Sequence, residues 1–255
     1  MIVDQFRLDN KVALITGSGQ GLGQGMALAM AEAGADIAGI DIGPSAPETE
    51  EKVKALGRRY FHQQANLIQA AVADLHKLVD AVVGHYGHID ILVNNAGIIR
   101  RAALLDHTEK DWDDVVQINL KAVFFLCQAA ARYFIPQKSG KIINIASMLS
   151  FQGRILVPGY TASKSGVAGI TKLLTNELAG KGINANAIAP GYMATANTSA
   201  LRSDPDRSET ILARIPAGRW GLPSDIAGAA VFLASPASDY VNGCILNVDG
   251  GWLAR

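Results

Sequence analysis

The chain has 255 residues, of which 49% are hydrophobic and 18% are charged, and its 23 basic and 23 acidic residues give a formal net charge of zero. This composition is typical of one globular domain with a large buried core, and it excludes an extensively disordered chain. Zero net charge gives no support for nucleic acid as a partner, and the longest apolar stretch, residues 122–131, is too short to span a bilayer, so no membrane partner is expected.

The N-terminal ten residues include Asp4, Arg7 and Asp9 and lack the continuous apolar segment of a signal peptide. Cys127 and Cys244 lie far apart in the sequence and form no disulfide framework. The five histidines show no spacing typical of zinc ligands. We therefore expect a cytoplasmic protein without a metal site.

Short β-branched runs alternate with longer helical patterns along the whole chain. Strands are predicted at 12–16, 36–41, 60–64, 89–94, 141–147, 184–189 and 245–248, and helices at 21–33, 48–56, 70–86, 109–134, 159–179 and 224–234. Apolar strands separated by helices indicate a parallel sheet that is covered on both faces. Right-handed crossovers then make it doubly wound. The prediction is a single α/β domain over residues 1–255, a Rossmann fold with a seven-stranded parallel sheet.

One segment departs from this alternation. Residues 191–223 are rich in Ala, Ser, Thr, Arg and Pro and contain no clear strand. A segment of that length in a compact domain is usually functional. We expect it to form a lid over a binding site.

A glycine-rich loop follows the first predicted strand and opens the first predicted helix. Residues 16–23 read Thr-Gly-Ser-Gly-Gln-Gly-Leu-Gly. Glycines let the backbone approach a pyrophosphate, and a helix N-terminus offers free N–H groups and the positive end of the dipole. The strand–loop–helix context therefore indicates a dinucleotide site.

Asp41 closes the second predicted strand. A carboxylate at that position can accept hydrogen bonds from both ribose hydroxyls of NAD, and it repels the 2′-phosphate of NADP. Residues 16–25 contain no lysine or arginine that could receive this phosphate. The sequence therefore predicts NAD as the cofactor.

Polar residues end two later strands. Residues 94–97 read Asn-Asn-Ala-Gly at the end of the fourth strand, and Ser147 ends the fifth. Ligands of open α/β sheets bind outside the carboxyl ends of the strands. We therefore expect Asn95, Ser147 and the glycine loop to meet at one edge of the sheet.

Tyr160 and Lys164 lie one helical turn apart, so their side chains share a helix face. Taken alone, this spacing is common on solvated helices. A nearby ammonium group favours the phenolate form, so Lys164 is expected to lower the pKa of Tyr160 and make it a general acid and base.

Together these residues resemble the short-chain dehydrogenase/reductase family over essentially the whole chain. The motifs that carry the resemblance are Thr16-Gly17-x-x-x-Gly21-x-Gly23, Asn94-Asn95-Ala96-Gly97, Asn119, Ser147, Tyr160-x-x-x-Lys164 and Pro190-Gly191. The resemblance implies hydride transfer between a nicotinamide cofactor and a secondary alcohol or ketone.

The resemblance also implies residue roles. Tyr160 would move the proton, Lys164 would hold the nicotinamide ribose, Ser147 would bind the substrate oxygen, and Asn119 would position a water linked to Lys164. Where the family often has an aspartate after the third strand, this chain has Asn66-Leu67. The predicted cofactor-binding residues are Gly17, Gln20, Gly21, Leu22, Gly23, Asp41, Asn66, Leu67, Asn95, Ala96, Gly97, Tyr160, Lys164, Pro190, Gly191 and Met193.

Segments outside the shared motifs indicate a substrate class. Residues 147–154, 190–195, 214–221 and 250–255 resemble the 2-deoxy-D-gluconate 3-dehydrogenases of this family, also described as 2-dehydro-3-deoxy-D-gluconate 5-dehydrogenases of uronate catabolism. A deoxy sugar acid needs a cation for its carboxylate, and arginine suits it best. Arg154 is the first choice, with Gln152 for sugar hydroxyls; the other candidate arginines are Arg100, Arg101, Arg202 and Arg214.

Alternatives stay open at this stage. The chain could be another reductase of the family, acting on a 3-oxoacyl thioester or a polyol, or a catalytically silent NAD-binding scaffold. Asp41 and the zero net charge weigh against the thioester reductase, and the presence of both Tyr160 and Lys164 weighs against the scaffold. Small residues on the Tyr160 helix and the resemblance favour a homotetramer.

Overall fold

The computed structural model describes all residues, 1–255, and is built around one seven-stranded sheet. The strands run in the order β3-β2-β1-β4-β5-β6-β7, and every neighbouring pair is parallel. The predicted doubly wound α/β fold with seven parallel strands is therefore confirmed. The strands are β1 Val12–Thr16, β2 Asp36–Asp41, β3 Tyr60–Gln64, β4 Ile91–Asn94, β5 Gly140–Ile145, β6 Ile183–Pro190 and β7 Ile245–Val248.

Helices cover both faces of the sheet. One face carries a core of buried side chains from α3, α5 and α6, and the other is covered by α1 and α9. Both cores are apolar, which explains why the strands read as continuous apolar runs. The helices are α1 Gly21–Glu32, α2 Pro47–Ala55, α3 Val72–Tyr86, α4 Glu109–Val116, α5 Ala122–Gln137, α6 Pro158–Leu178, α7 Ser199–Arg202, α8 Pro205–Arg214 and α9 Pro223–Ala234.

The predicted continuous helix over 109–134 is wrong in one respect. A π-helical turn, Gln117–Lys121, separates α4 from α5. By length and composition the stretch Glu109–Gln137 could cross a membrane, but 56% of its most apolar window is buried inside the protein. Its apolar residues, such as Leu126 and Phe134, belong to the core between helix and sheet.

Residues 191–223 contain two helices, α7 and α8, and no strand longer than an isolated bridge. Leu201 and Ile211 from these helices are buried against Met148, Leu149 and other residues that follow β5. The segment therefore packs over the carboxyl ends of the strands. Whether it moves as a lid stays a prediction.

Candidate active site

The glycine loop after β1 has the backbone that its sequence predicts. Gly17 and Gly21 adopt φ values of +69° and +57°, which side chains rarely tolerate. A Cβ added at Gly23 would lie 1.9 Å from the carbonyl oxygen of Gly17. This close approach folds the loop onto the first turn of α1, where free N–H groups can receive a phosphate.

Thr16 and Asn95 join this loop to the end of β4. The Thr16 hydroxyl accepts hydrogen bonds from the backbone N–H groups of Asn95 (3.0 Å) and Ala96 (2.9 Å). The Asn95 amide donates to the carbonyl oxygens of Thr16 (2.9 Å) and Gly17 (3.1 Å). The strand order reverses between β1 and β4, and these four hydrogen bonds hold the ends of the two strands together at that point. The sequence interpretation named Thr16 only as part of the loop.

Asp41 stands at the end of β2, facing the same cavity as the loop. One of its carboxylate oxygens accepts a 2.9 Å hydrogen bond from the Ser18 hydroxyl, which also lies 3.0 Å from the Tyr60 hydroxyl. The carboxylate is therefore oriented by its neighbours, and its second oxygen remains available to a ligand.

Ser147, Tyr160 and Lys164 converge as the sequence predicts. Ser147 follows β5 and its hydroxyl accepts a hydrogen bond from Leu149 N–H at 3.1 Å. Tyr160 lies in the first turn of α6, which begins at Pro158. The Lys164 ammonium is buried; it donates a 2.5 Å hydrogen bond to the carbonyl oxygen of Ile145 and lies 5.6 Å from the centre of the Tyr160 ring.

The electrostatics of this group differ from the prediction. Burial raises the pKa of Tyr160 above its usual value, and this effect outweighs the opposing effects of the Ser147 hydroxyl and the Arg101 charge. Burial also lowers the pKa of Lys164 to about 8. The expected lowering of the Tyr160 pKa by Lys164 is thus not found, because the ammonium is engaged by Ile145 and the phenol is desolvated.

Asn119 is buried in the π-helical turn. Its side-chain oxygen accepts from Ile98 N–H at 2.9 Å, and its amide donates to the Ile98 carbonyl at 3.0 Å and to the Ser163 hydroxyl at 3.3 Å. Ser163 in turn donates to the Tyr160 carbonyl at 2.8 Å. Asn119 therefore anchors the start of α6 to the loop after β4. π turns are frequent at functional sites.

A single cavity brings most of the predicted residues together. It joins the glycine loop and Asp41 to Ser147, Tyr160 and Lys164, with residues 190–193 and 195–198 on its wall. The predicted residues that do not line it are Gly23, Asn66, Leu67, Asn119 and Gln152.

The candidate arginines separate into two groups. Arg101 and Arg154 line the cavity, as does Arg207 of α8, which the sequence interpretation missed. The other candidates have partners elsewhere: Arg100 pairs with Asp111 and Asp114, Arg202 donates to the Thr195 carbonyl, and Arg214 stacks over Trp252 at 4.0 Å. In sequence, Arg207 is one more polar residue on an amphipathic helix, so no signal marked it.

Comparison with known proteins agrees with this geometry. A protein-family model described as Enoyl-(Acyl carrier protein) reductase matches residues 17–253. The 2-dehydro-3-deoxy-D-gluconate 5-dehydrogenase of Escherichia coli (strain K12) is 62% identical over 256 residues, covering 100% of both chains. The chain belongs to the short-chain dehydrogenase/reductase family. Like its relatives in that family, it is an oxidoreductase.

Two solved structures of short-chain dehydrogenases resemble it closely. A putative 2-deoxy-D-gluconate 3-dehydrogenase from Agrobacterium tumefaciens, with bound NADP, is 52% identical with a TM-score of 0.91 and coverage of 98% of this chain and 99% of that one. A gluconate 5-dehydrogenase from Burkholderia cenocepacia, in complex with NADP and tartrate, is 42% identical with a TM-score of 0.95 and complete coverage of both chains.

Proposed function

We propose that this chain interconverts a secondary alcohol and a ketone on a deoxy sugar acid of the 2-dehydro-3-deoxy-D-gluconate or 2-deoxy-D-gluconate type, with NAD as the hydride carrier. The observation that carries the proposal is one cavity that joins a dinucleotide loop, the Ser147–Tyr160–Lys164 group and three arginines. The name of the 62% identical relative supports the same substrate class. A place in uronate catabolism is part of the proposal.

Each residue of the site has a separate role in the proposed reaction. A bound nicotinamide supplies hydride transfer to or from the carbinol carbon. Tyr160 takes the hydroxyl proton in oxidation and returns it in reduction. The Ser147 hydroxyl binds the reacting oxygen and stabilises the charge that develops there. Lys164 holds the ribose, and Asn119 supports a water that connects Lys164 with solvent.

The substrate contacts follow from charge. Arg101, Arg154 and Arg207 line the cavity and follow β4, β5 and β6, whereas Asp41 ends β2 on the other side of β1. We therefore assign the carboxylate of the sugar acid to the arginine side of the cavity. Gln152 stays a predicted contact to sugar hydroxyls, although its side chain does not line the cavity.

Asp41 supports the proposal of NAD. Its carboxylate would repel a 2′-phosphate, and the next residue, Ile42, is apolar and 67% exposed and offers no cation. The two related structures described above hold NADP.

Replacing Asp41 by alanine should raise the KM for NAD about tenfold or more and shift the preference toward NADP, because a hydrogen bond to a charged group contributes about 1.5–3 kcal/mol. The measurement is kcat/KM with each cofactor at saturating substrate. Asp36→Ala, at the opposite end of β2 and paired with Arg59, is the matched control and should leave the ratio unchanged. An unaltered ratio in Asp41→Ala would refute the assignment.

The activity itself is tested by following nicotinamide absorbance with purified protein. The panel contains 2-deoxy-D-gluconate, 2-dehydro-3-deoxy-D-gluconate, a polyol and a 3-oxoacyl thioester. Turnover of a sugar acid with the highest kcat/KM supports the proposal. A preference for the polyol or the thioester would support one of the alternative reductase activities. No turnover of any compound in the panel would support a catalytically silent NAD-binding scaffold.

Three further predictions belong with this proposal. The 191–223 segment would act as a lid, the protein would be cytoplasmic, and it would form a homotetramer. Small exposed residues on α6, namely Ala162, Ser165 and Gly169, support close approach by another helix. The partly exposed edge strand β7 offers a second surface for association.

A further inference from the structure

Tyr192 carries a buried polar group that none of the roles above uses. It follows β6, lines the active-site cavity and is only 6% exposed. Its ring packs edge-on against Trp220 at 5.5 Å and Trp252 at 4.9 Å between ring centres. Its hydroxyl is buried and has no hydrogen-bond partner. Burying a hydroxyl without a hydrogen-bond partner costs free energy of folding, which suggests that a ligand supplies the partner.

The groups around Tyr192 are hydrogen-bond donors. The Arg154 guanidinium lies 5.2 Å above its ring, and Arg101 and Arg207 line the same cavity. A guanidinium offers N–H donors and no acceptor. Asp41, the one carboxylate on the cavity wall, lies at the other end beside Ser18. The guanidinium groups on the cavity wall therefore favour an anionic acceptor for the Tyr192 hydroxyl.

We infer that the Tyr192 hydroxyl, together with Arg154 and Arg207, binds the carboxylate of the sugar acid and so determines which carbon reaches Tyr160. This rests on the proposed function, because it names the contact by which that same site selects its substrate. Arg154 is exposed and stacked on the Tyr192 ring, so its long side chain can turn toward a carboxylate bound beside that ring.

Arg101 lines the same cavity as both phenols. Burial raises the pKa of Tyr160 and of Tyr192, and the Arg101 charge opposes this rise at both. Arg101 is held in place by a 3.2 Å hydrogen bond to the Asn197 carbonyl. Tyr160 and Tyr192 line one cavity, so we place the reacting carbinol of the sugar acid at Tyr160 and its carboxylate at Tyr192.

The test compares wild type with Tyr192→Phe, which keeps the ring and its packing and removes only the hydroxyl. With the sugar acid that wild type turns over best, KM should rise about tenfold or more, because a hydrogen bond to a charged group is lost, while kcat stays within about twofold. With the carboxamide of the same compound, which has no charge, the two proteins should differ by less than about threefold. A KM for the acid that stays at the wild-type value overturns the inference, as does a fall confined to kcat.

A binding measurement separates this inference from the proposed function. Tartrate, a small hydroxylated dicarboxylate, is added to protein saturated with cofactor, and the rise in melting temperature is recorded. Wild type and the control Tyr240→Phe, whose side chain is fully exposed, should be stabilised, whereas Tyr192→Phe should lose most of the shift. The same shift in all three proteins, or none in wild type, overturns the subsite. A shift that depends on Tyr192, in a protein that turns over no sugar acid, supports the subsite and refutes the proposed function.

Discussion

Replacing Tyr160 by phenylalanine should lower kcat by a factor of about 10²–10⁴, the range that a positioned general acid or base contributes. The hydroxyl lies beside Ser147 and is the one proton carrier at the reacting oxygen in the proposed mechanism. The ring that packs beside Lys164 is kept. Cofactor affinity, measured by fluorescence titration, should therefore change by less than about threefold.

The pH dependence gives this variant a second readout. Oxidation needs the deprotonated Tyr160, so turnover of an alcohol should rise with pH; reduction needs the phenol, so turnover of a ketone should fall as pH passes the same pKa. Burial raises this pKa, which places both changes on the alkaline side. In Tyr160→Phe both changes should disappear.

Tyr133→Phe is the matched control. Its hydroxyl donates to Asp80 at 2.7 Å on the protein surface, far from the cavity in the fold. It should keep wild-type turnover and the wild-type pH profile. If Tyr160→Phe also retained turnover, the proton would have to come from another group and the proposed mechanism would be wrong.

The sheet and the dinucleotide loop could be predicted because their causes are local. Strands β1, β2, β3 and β7 have the predicted bounds, since each is a short run bounded by turns or helix starts. The loop conformation follows from glycine, because the positive φ at Gly17 and Gly21 is one that few other residues adopt. In both cases the residues that determine the structure lie within a few positions of it.

The π-helical turn could not be predicted because its stabilising contacts are distant in sequence. The apolar pattern of 109–134 continues through it, so periodicity indicates one helix. Asn119 instead pairs with the peptide of Ile98, 21 residues earlier, through two hydrogen bonds. These bonds turn the Asn119 side chain inward, toward Ser163. The wider π turn allows the backbone to present the side chain in that direction.

The pKa shifts of Tyr160 and Lys164 could not be predicted from the sequence either. The spacing of Tyr160 and Lys164 correctly places them on one helix face, yet it gives no measure of burial or of competing partners. The Ile145 carbonyl takes the ammonium, and burial dominates both groups. Arg207 and Tyr192 reach the cavity only because α8 and the chain after β6 fold back over it.

Replacing Gly23 by alanine should impair the cofactor site and destabilise the fold. Its Cβ would lie 1.9 Å from the Gly17 carbonyl oxygen, which is a backbone atom, and 2.6 Å from the Asn95 side-chain nitrogen, which is held by hydrogen bonds. Asn95 donates to that same carbonyl, so the loop and the end of β4 must separate. We expect the free energy of unfolding to fall by about 1–3 kcal/mol, as for other overpacked positions.

Cofactor binding should weaken as well, because the displaced loop is the one that would receive the pyrophosphate; we expect an increase in Kd of about tenfold or more. Gly84→Ala is the control: this exposed glycine of α3 has no atom within 4 Å of an added Cβ. It should raise stability by about 0.5–1 kcal/mol and leave Kd unchanged. Urea unfolding and cofactor titration measure both effects. Wild-type affinity in Gly23→Ala would show that the loop tolerates a side chain there and that the phosphates bind elsewhere.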